Sequence, residues 1–156
     1  MKREIERKFL LASDSWRESV TDTLRILDGL VSYEDGRKVR VRVCNNSAAI
    51  TFKGRRDGLA RAEFEYGIPL QEAAALIATM CQGRVVEKLR YLVQHGAHVW
   101  SIDVYSGPFA GIQIAETELR VEDEAFEMPP WAGREVTGDP QFSKANLFAP
   151  LARPSR

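Results

Sequence analysis

The chain has 156 residues, long enough to bury a sizeable core, and is expected to form one domain over 1–156. Lysine plus arginine equals aspartate plus glutamate, 22 against 22, so it lacks the basic surplus of a general nucleic-acid binder. No apolar run is long enough to span a membrane, no apolar stretch follows Lys2 and Arg3, and the cysteines Cys44 and Cys81 are expected to stay reduced, which together imply a cytoplasmic protein.

The first predicted strand runs from Arg3 to Leu11. In it Glu4, Glu6 and Lys8 fall at every second position, so an extended backbone places them on one face. Two carboxylates and an ammonium on one face are poor core material. They suit a divalent cation held beside a phosphate. Ser13-Asp14-Ser15-Trp16 then opens a short helix, with Ser13 or Asp14 as its N-cap. Asp22 to Ser32 is a second strand, and Glu34-Asp35-Gly36 turns the chain into Arg37–Val43. There the valines alternate with Lys38, Arg40 and Arg42. Asn45-Asn46-Ser47 leads into Ala48–Lys53, where Thr51 and Lys53 share a face opposite Ile50 and Phe52.

A charged loop, Gly54–Gly58, precedes Ala60–Ile68, in which Arg61, Glu63 and Glu65 alternate with Ala62, Phe64 and Tyr66. Pro69 to Cys81 reads as a helix with Ala73, Leu76, Ile77 and Met80 as its apolar stripe, stopped by Gly83. Three further strands, Val85–Gln94, Val99–Tyr105 and Gln113–Val121, carry Lys88 and Arg90, then Asp103, then Glu116 and Glu118. Beyond Glu122 the chain is expected to be helix and loop, with Glu122–Glu127, then Pro129-Pro130-Trp131, then a short helix from Gly138-Asp139-Pro140 to Phe148.

One alternating segment is what any half-exposed strand shows. Its recurrence along the chain, with charge in place of Ser, Thr and Gln, argues for a mainly β, α+β architecture. About eight antiparallel strands would close into a barrel with a charged interior and helices packed on the outer apolar face. Such an interior is tolerable when it is wet, internally paired or filled by an ionic ligand. The inward cations would be Lys8, Arg40, Arg42, Lys53, Arg61, Lys88 and Arg90. The inward anions would be Glu4, Glu6, Glu63, Glu65, Asp103, Glu116 and Glu118.

Arginine forks and lysine ammoniums match phosphoryl oxygens. The carboxylates would repel a polyphosphate unless a hard cation intervened. Mg2+ or Mn2+, bound through one or two carboxylates and phosphate oxygens, meets that need and can acidify a water for attack on phosphorus. Competing motifs are weak. His95 and His98 have no cysteine nearby and make a poor zinc site. Gly54–Gly58 lacks the lysine-serine ending of a phosphate loop. Trp16, Trp100 and Trp131 are expected to pack helices onto the barrel.

Glu4-x-Glu6-x-Lys8, Arg40-x-Arg42, Thr51-x-Lys53, Arg61-x-Glu63-x-Glu65, Glu87-Lys88-x-Arg90, Asp103 and Glu116-x-Glu118 occur in the order seen in the CYTH domain, also called the triphosphate tunnel metalloenzymes. The chain resembles that family along nearly its whole length, and most closely its small bacterial inorganic triphosphatases. Gly133-x-Glu135-Val136-Thr137-Gly138-Asp139-Pro140 and Asn146-Leu147 carry the closer likeness.

The resemblance implies an eight-stranded antiparallel tunnel, a triphosphate-containing small molecule as substrate and Mg2+ or Mn2+ as cofactor. It implies substrate contacts from Lys8, Arg40, Arg42, Lys53, Arg61, Lys88 and Arg90, and metal ligation by Glu4, Glu6, Glu116 and Glu118. It implies catalytic roles for Glu6, Lys88, Glu63, Glu65 and Asp103, the last three orienting metal water or basic side chains. Adenylate cyclase, thiamine or nucleoside triphosphatase, and a non-catalytic polyphosphate-binding module are the alternatives on the same tunnel.

Overall fold

The computed structural model describes residues 1–143. The chain forms β1 (Arg3–Leu11), β2 (Val20–Glu34), β3 (Arg37–Cys44), β4 (Ser47–Lys53), β5 (Ala60–Ile68), α1 (Leu70–Met80), β6 (Val85–His95), β7 (His98–Tyr105), β8 (Gln113–Glu118) and β9 (Ala132–Glu135). The sheet order is β5-β4-β3-β2-β6-β7-β8-β1-β9, and an added β5–β1 pairing closes it. Every strand pair is antiparallel. Eight strands therefore form a closed barrel. β9 stands outside the ring: Phe9 registers with both Ala115 and Glu135, so β9 lies on the side of β1 away from β8.

Closure removes the unpaired edges that an open sheet would expose. The hairpins follow from local chemistry. Asp35 and Gly36 both have positive φ, 53° and 76°, as a two-residue turn between twisted strands requires. Among the described residues α1 is the one α-helix. It buries Ala73, with Leu76 and Ile77 half-buried against Val41 and Ala48. Its close approach to β2 depends on Gly29, where an added Cβ would lie 2.7 Å from Cys81 Sγ. Met80, expected on the apolar stripe, is 50% exposed because the helix ends there and turns it to solvent.

The expectation that helices cover the rest of the outer face fails. A 3-10 turn, Ser15–Ser19, delivers Trp16, and the irregular chain after β8 delivers Phe126 and Trp131. With Phe9, Val93, Trp100, Ile102 and Ala115 these form the largest core, outside the barrel wall. Trp100 and Trp131 meet edge to face, with centroids 5.4 Å apart. No helix forms over Glu122–Glu127, which is turn and coil, and β9 takes the edge of β1 instead. From Pro140 a 3-10 turn reaches Phe142, and the expected continuation to Phe148 lies outside the described residues, as do Asn146 and Leu147. No helix among the described residues is long and apolar enough to cross a membrane.

Inside, the register sets which residues share a face. Lys8 registers with Glu116, Arg42 with Asp28, Lys53 with Glu63, and Arg90 with Asp103. The interior is not charged throughout. Leu30 registers with Arg40, Val86 with Asp28, Tyr105 with Lys88 and Ile114 with Asp103, so these four also face inward. With Phe109 they pack into an apolar plug that fills one part of the barrel.

Candidate active site

A chamber of about 790 Å³ occupies the charged part of the interior. One wall comes from β3, β4 and β6, with Arg40, Arg42, Lys53 and Arg90. The other comes from β1, β5 and β8, with Glu4, Glu6, Glu63, Glu65, Glu116 and Glu118. Strand alternation alone puts these side chains indoors, and the apolar residues between them pack outward.

The charges pair in layers. Asp103 is fully buried. It accepts Lys88 Nζ at 2.7 Å and Arg90 Nε and Nη2 at 2.7 and 2.9 Å. Burial opposes ionisation, but Lys88 and Arg90 outweigh it and hold Asp103 well below the usual carboxylate range. Asp28 accepts Arg42 through both oxygens at 2.7 and 2.8 Å and lies 3.5 Å from Lys88 Nζ. Burial again opposes, and Arg42, Arg40 and Lys88 pull Asp28 far below its ordinary value. Glu4 accepts Lys53 Nζ at 2.8 Å and Arg61 Nε at 2.9 Å, which overcome the effect of burial and keep it ionised. Lys53 also lies 3.2 Å from Glu63, and Thr51 donates to Glu65 at 3.1 Å.

The pairing is incomplete on both walls. Burial and the neighbouring Arg42 lower the pKa of Arg40, with Arg90 adding to the effect. Its Nε has no hydrogen-bond partner among the described residues, and the nearest Asp28 oxygen is 3.9 Å away. Opposite, Glu118 registers directly against Glu6. Burial, then Glu4 and Glu63, push the Glu118 carboxyl up from its ordinary value. Arg40, Arg42, Lys53 and Arg90 gather on one wall and most of the carboxylates on the other, with Lys2 beside Glu63 at 3.3 Å.

Every residue expected in the interior is found there or at its mouth. Lys8 lies 4.0 Å from Glu6 and 3.9 Å from Glu116. Glu65 and Glu118 are exposed at the rim, and Asp103 and Lys88 lie behind the lining. Asp28 escaped the sequence reading, although it is the one charged residue in Ile26–Val31 and so was a usable signal. Lys38 and Arg56 were also missed as interior groups. Among the described residues His98 is in no cluster of three or more His, Cys, Asp or Glu side chains placed to hold a metal. Its Nε2 lies 3.0 Å from Glu124 at the chamber rim.

Among the described residues no three or more Asp, Glu, His or Cys side chains converge closely enough to hold a metal by themselves. The donor chemistry still fits a hard divalent ion. Such an ion takes one or two carboxylates and fills its sphere with water and phosphate oxygens. Glu118, raised by burial and by Glu4 and Glu63, is a place where added positive charge would be stabilised.

These shifts set a pH dependence. Glu4, Asp28 and Asp103 are depressed, so their contribution to stability is complete above the ordinary carboxylate range and is lost as pH falls below it. Glu118 has the opposite sign, but it sits at the exposed rim, where solvent screens it. The melting temperature is expected to fall between about pH 5 and pH 3, and Asp28→Asn to flatten that acid limb. Melts of both proteins across this range check it, and an unchanged limb would mean that Asp28 is not ionised in the fold.

The CYTH domain family model matches residues 2–149 of the chain. An inorganic triphosphatase of Acetivibrio thermocellus is 40% identical over 147 residues, covering 94% of each protein. An inorganic triphosphatase of Nitrosomonas europaea is 32% identical over 148 residues, covering 92% of this chain and 95% of the relative. The crystal structure of an inorganic triphosphatase superposes with a TM-score of 0.65 at 29% identity, covering 99% of both chains.

Proposed function

Because the chain belongs to the CYTH domain family, we propose that it is a metal-dependent hydrolase of triphosphate-containing substrates, and that inorganic triphosphate is the preferred one. The observation that carries this reading is the pair of unbalanced walls facing one chamber. Arg40 has an Nε with no hydrogen-bond partner among the described residues, where an anion's oxygen would fit, and Glu118 is pushed up by burial, Glu4 and Glu63, where a cation would relieve it. A polyphosphate with a divalent ion brings both at once. The names of the two curated relatives point the same way. The choice of inorganic triphosphate over a nucleotide or thiamine ester rests on the lining. Among its described residues no Phe, Tyr or Trp is placed to stack a base, and His98 is the one ring.

In this reading Arg40, Arg42, Lys53 and Arg90 hold phosphoryl oxygens in the chamber, with Lys8, Arg61 and Lys88 contributing from its edge. Positioning and charge neutralisation carry most of phosphoryl transfer, so no side-chain nucleophile is needed. Glu6, with Glu4, Glu116 and Glu118, would hold the ion. Bound Mg2+ or Mn2+ supplies charge neutralisation and acidifies water. Glu63 keeps Lys53 in place, and Glu65 sits where it can orient water at the mouth. Asp103 is a positioning residue, since both its oxygens are taken by Lys88 and Arg90. Asp28 does the same for Arg42.

Hydrolysis of inorganic triphosphate, ATP and thiamine triphosphate, compared under Mg2+ and then Mn2+, tests the assignment. The highest kcat/KM is expected for inorganic triphosphate. Tight triphosphate binding with no turnover in either metal would instead make the chamber a binding module. Within this scheme Arg40→Ala is expected to lower kcat/KM about tenfold to a hundredfold, the value of a lost charge-assisted contact of about 1.5–3 kcal/mol. Steady-state kinetics check this, and wild-type efficiency in the variant would place substrate elsewhere.

A further inference from the structure

Two cations of the chamber lining stand on its acidic side, Lys2 just before β1 and Arg120 just after β8. Arg120 is committed to Glu124, with Nη2 3.3 Å from Oε1 and the backbone N–H donating to Oε2. Lys2 instead holds Glu63, with Nζ 3.3 Å from Oε1. Glu63 therefore has a cation beside each oxygen, since Lys53 Nζ lies 3.2 Å from Oε2. The two cations differ in how firmly they are held. The Lys53 side chain is 3% exposed and also donates to Glu4 at 2.8 Å. The Lys2 side chain is 64% exposed.

The backbone under Lys2 is fixed. Its carbonyl accepts the Glu63 N–H at 3.1 Å, and Arg3 registers with Ala62 where β5 meets β1 and closes the barrel. Motion is left to the side chain, a flexible four-carbon stem carrying a compact, strongly hydrated charge. Withdrawing that ammonium into water costs little, because an exposed ion pair contributes little. Withdrawing Lys53 would strip a partner from two buried carboxylates, Glu4 and Glu63, at much greater cost. Of the two cations on Glu63, Lys2 is the replaceable one. Its charge also reaches Glu118, where it opposes the effect of Glu4 and Glu63.

We propose that Lys2 is a built-in counter-cation of the metal site: its ammonium neutralises the acidic side of the chamber until a divalent ion binds, and the ion then displaces it from Glu63. Lys2 so sets the ion concentration at which the protein loads. This rests on the reading of the chamber as a metal-dependent site. An ammonium and a hard divalent ion are drawn to the same carboxylate oxygens and repel one another, so they compete. The ammonium keeps its proton and moves into water, and no covalent bond changes. The role differs from that of Arg40, Arg42, Lys53 and Arg90, which hold phosphoryl oxygens, because Lys2 touches no reacting atom and acts through the affinity of the ion.

Mn2+ binding without substrate, followed by the paramagnetic resonance signal of the free ion, tests this apart from turnover. Lys2→Gln is expected to bind Mn2+ about threefold to tenfold more tightly than wild type, the range for removing one partly screened like charge. Lys2→Arg should bind as wild type does. Arg37→Gln removes one exposed charge from the outer β2–β3 hairpin, so it controls for net charge and should leave the affinity unchanged. Lys2→Gln should also lower the Mn2+ concentration that gives half-maximal hydrolysis of triphosphate. Equal or weaker binding in Lys2→Gln, the same gain in Arg37→Gln, or no saturable binding in any of the proteins would overturn the proposal. Tighter binding in Lys2→Gln with no triphosphate hydrolysed would keep the counter-cation and remove the triphosphatase reading. Unaltered binding with triphosphate hydrolysed would do the reverse.

Discussion

Asp103→Ala is expected to remove about 3–5 kcal/mol of stability, the cost of leaving buried charge without its partner. Asp103 is fully buried and accepts three hydrogen bonds from Lys88 and Arg90. Without it Lys88 keeps Asp28, at 3.5 Å. Two cations then face each other across a space that water reaches poorly. A domain of this size holds roughly 5–15 kcal/mol in all, so the variant should melt about 10 °C lower or more. Exposed Asp57→Ala is the control and should shift stability by less than about 0.5 kcal/mol. Urea unfolding of both variants gives the comparison. An Asp103→Ala midpoint equal to that of wild type would contradict the account of the interior as a set of mutually dependent charges.

Much of the fold was legible because a barrel with a charged interior writes its register into the sequence at period two. β1 and β5 have the limits that alternation gave them, Arg3–Leu11 and Ala60–Ile68. The site was legible for the same reason, since each motif pair marks one face of one strand. What stayed hidden depends on contacts between distant parts of the chain. β9 is four residues with no alternation, and it exists because β1 offers a free edge beyond β5. Asp28 stands between Ile26 and Leu30, so no charged neighbour at spacing two marked its face as the motif pairs marked theirs. The apolar plug breaks the charged-inside rule because Leu30, Val86 and Tyr105 share the inward face with charged partners. The register shift between Leu30 and Ser32, which turns Tyr33 inward, leaves no mark in composition.

Removal of divalent metal is expected to have the largest effect on activity. The carboxylates of β1 and β8 face one another, Glu6 against Glu118, and the second is held above its ordinary pKa by burial and by its neighbours. A triphosphate entering beside them adds further negative charge. Like charges at such separations repel by several kcal/mol in a partly dry interior, and each 1.36 kcal/mol left in the barrier slows the reaction tenfold. A divalent ion between phosphate and carboxylate turns that repulsion into attraction. Turnover in chelator should therefore fall by about a thousandfold or more, well beyond the loss expected for Arg40→Ala. The measurement is orthophosphate release from inorganic triphosphate by protein stripped with EDTA, repeated after Mg2+ or Mn2+ is restored. The account predicts background rates in EDTA and recovery with either ion. Undiminished hydrolysis in EDTA, or none after both metals are restored, would contradict it.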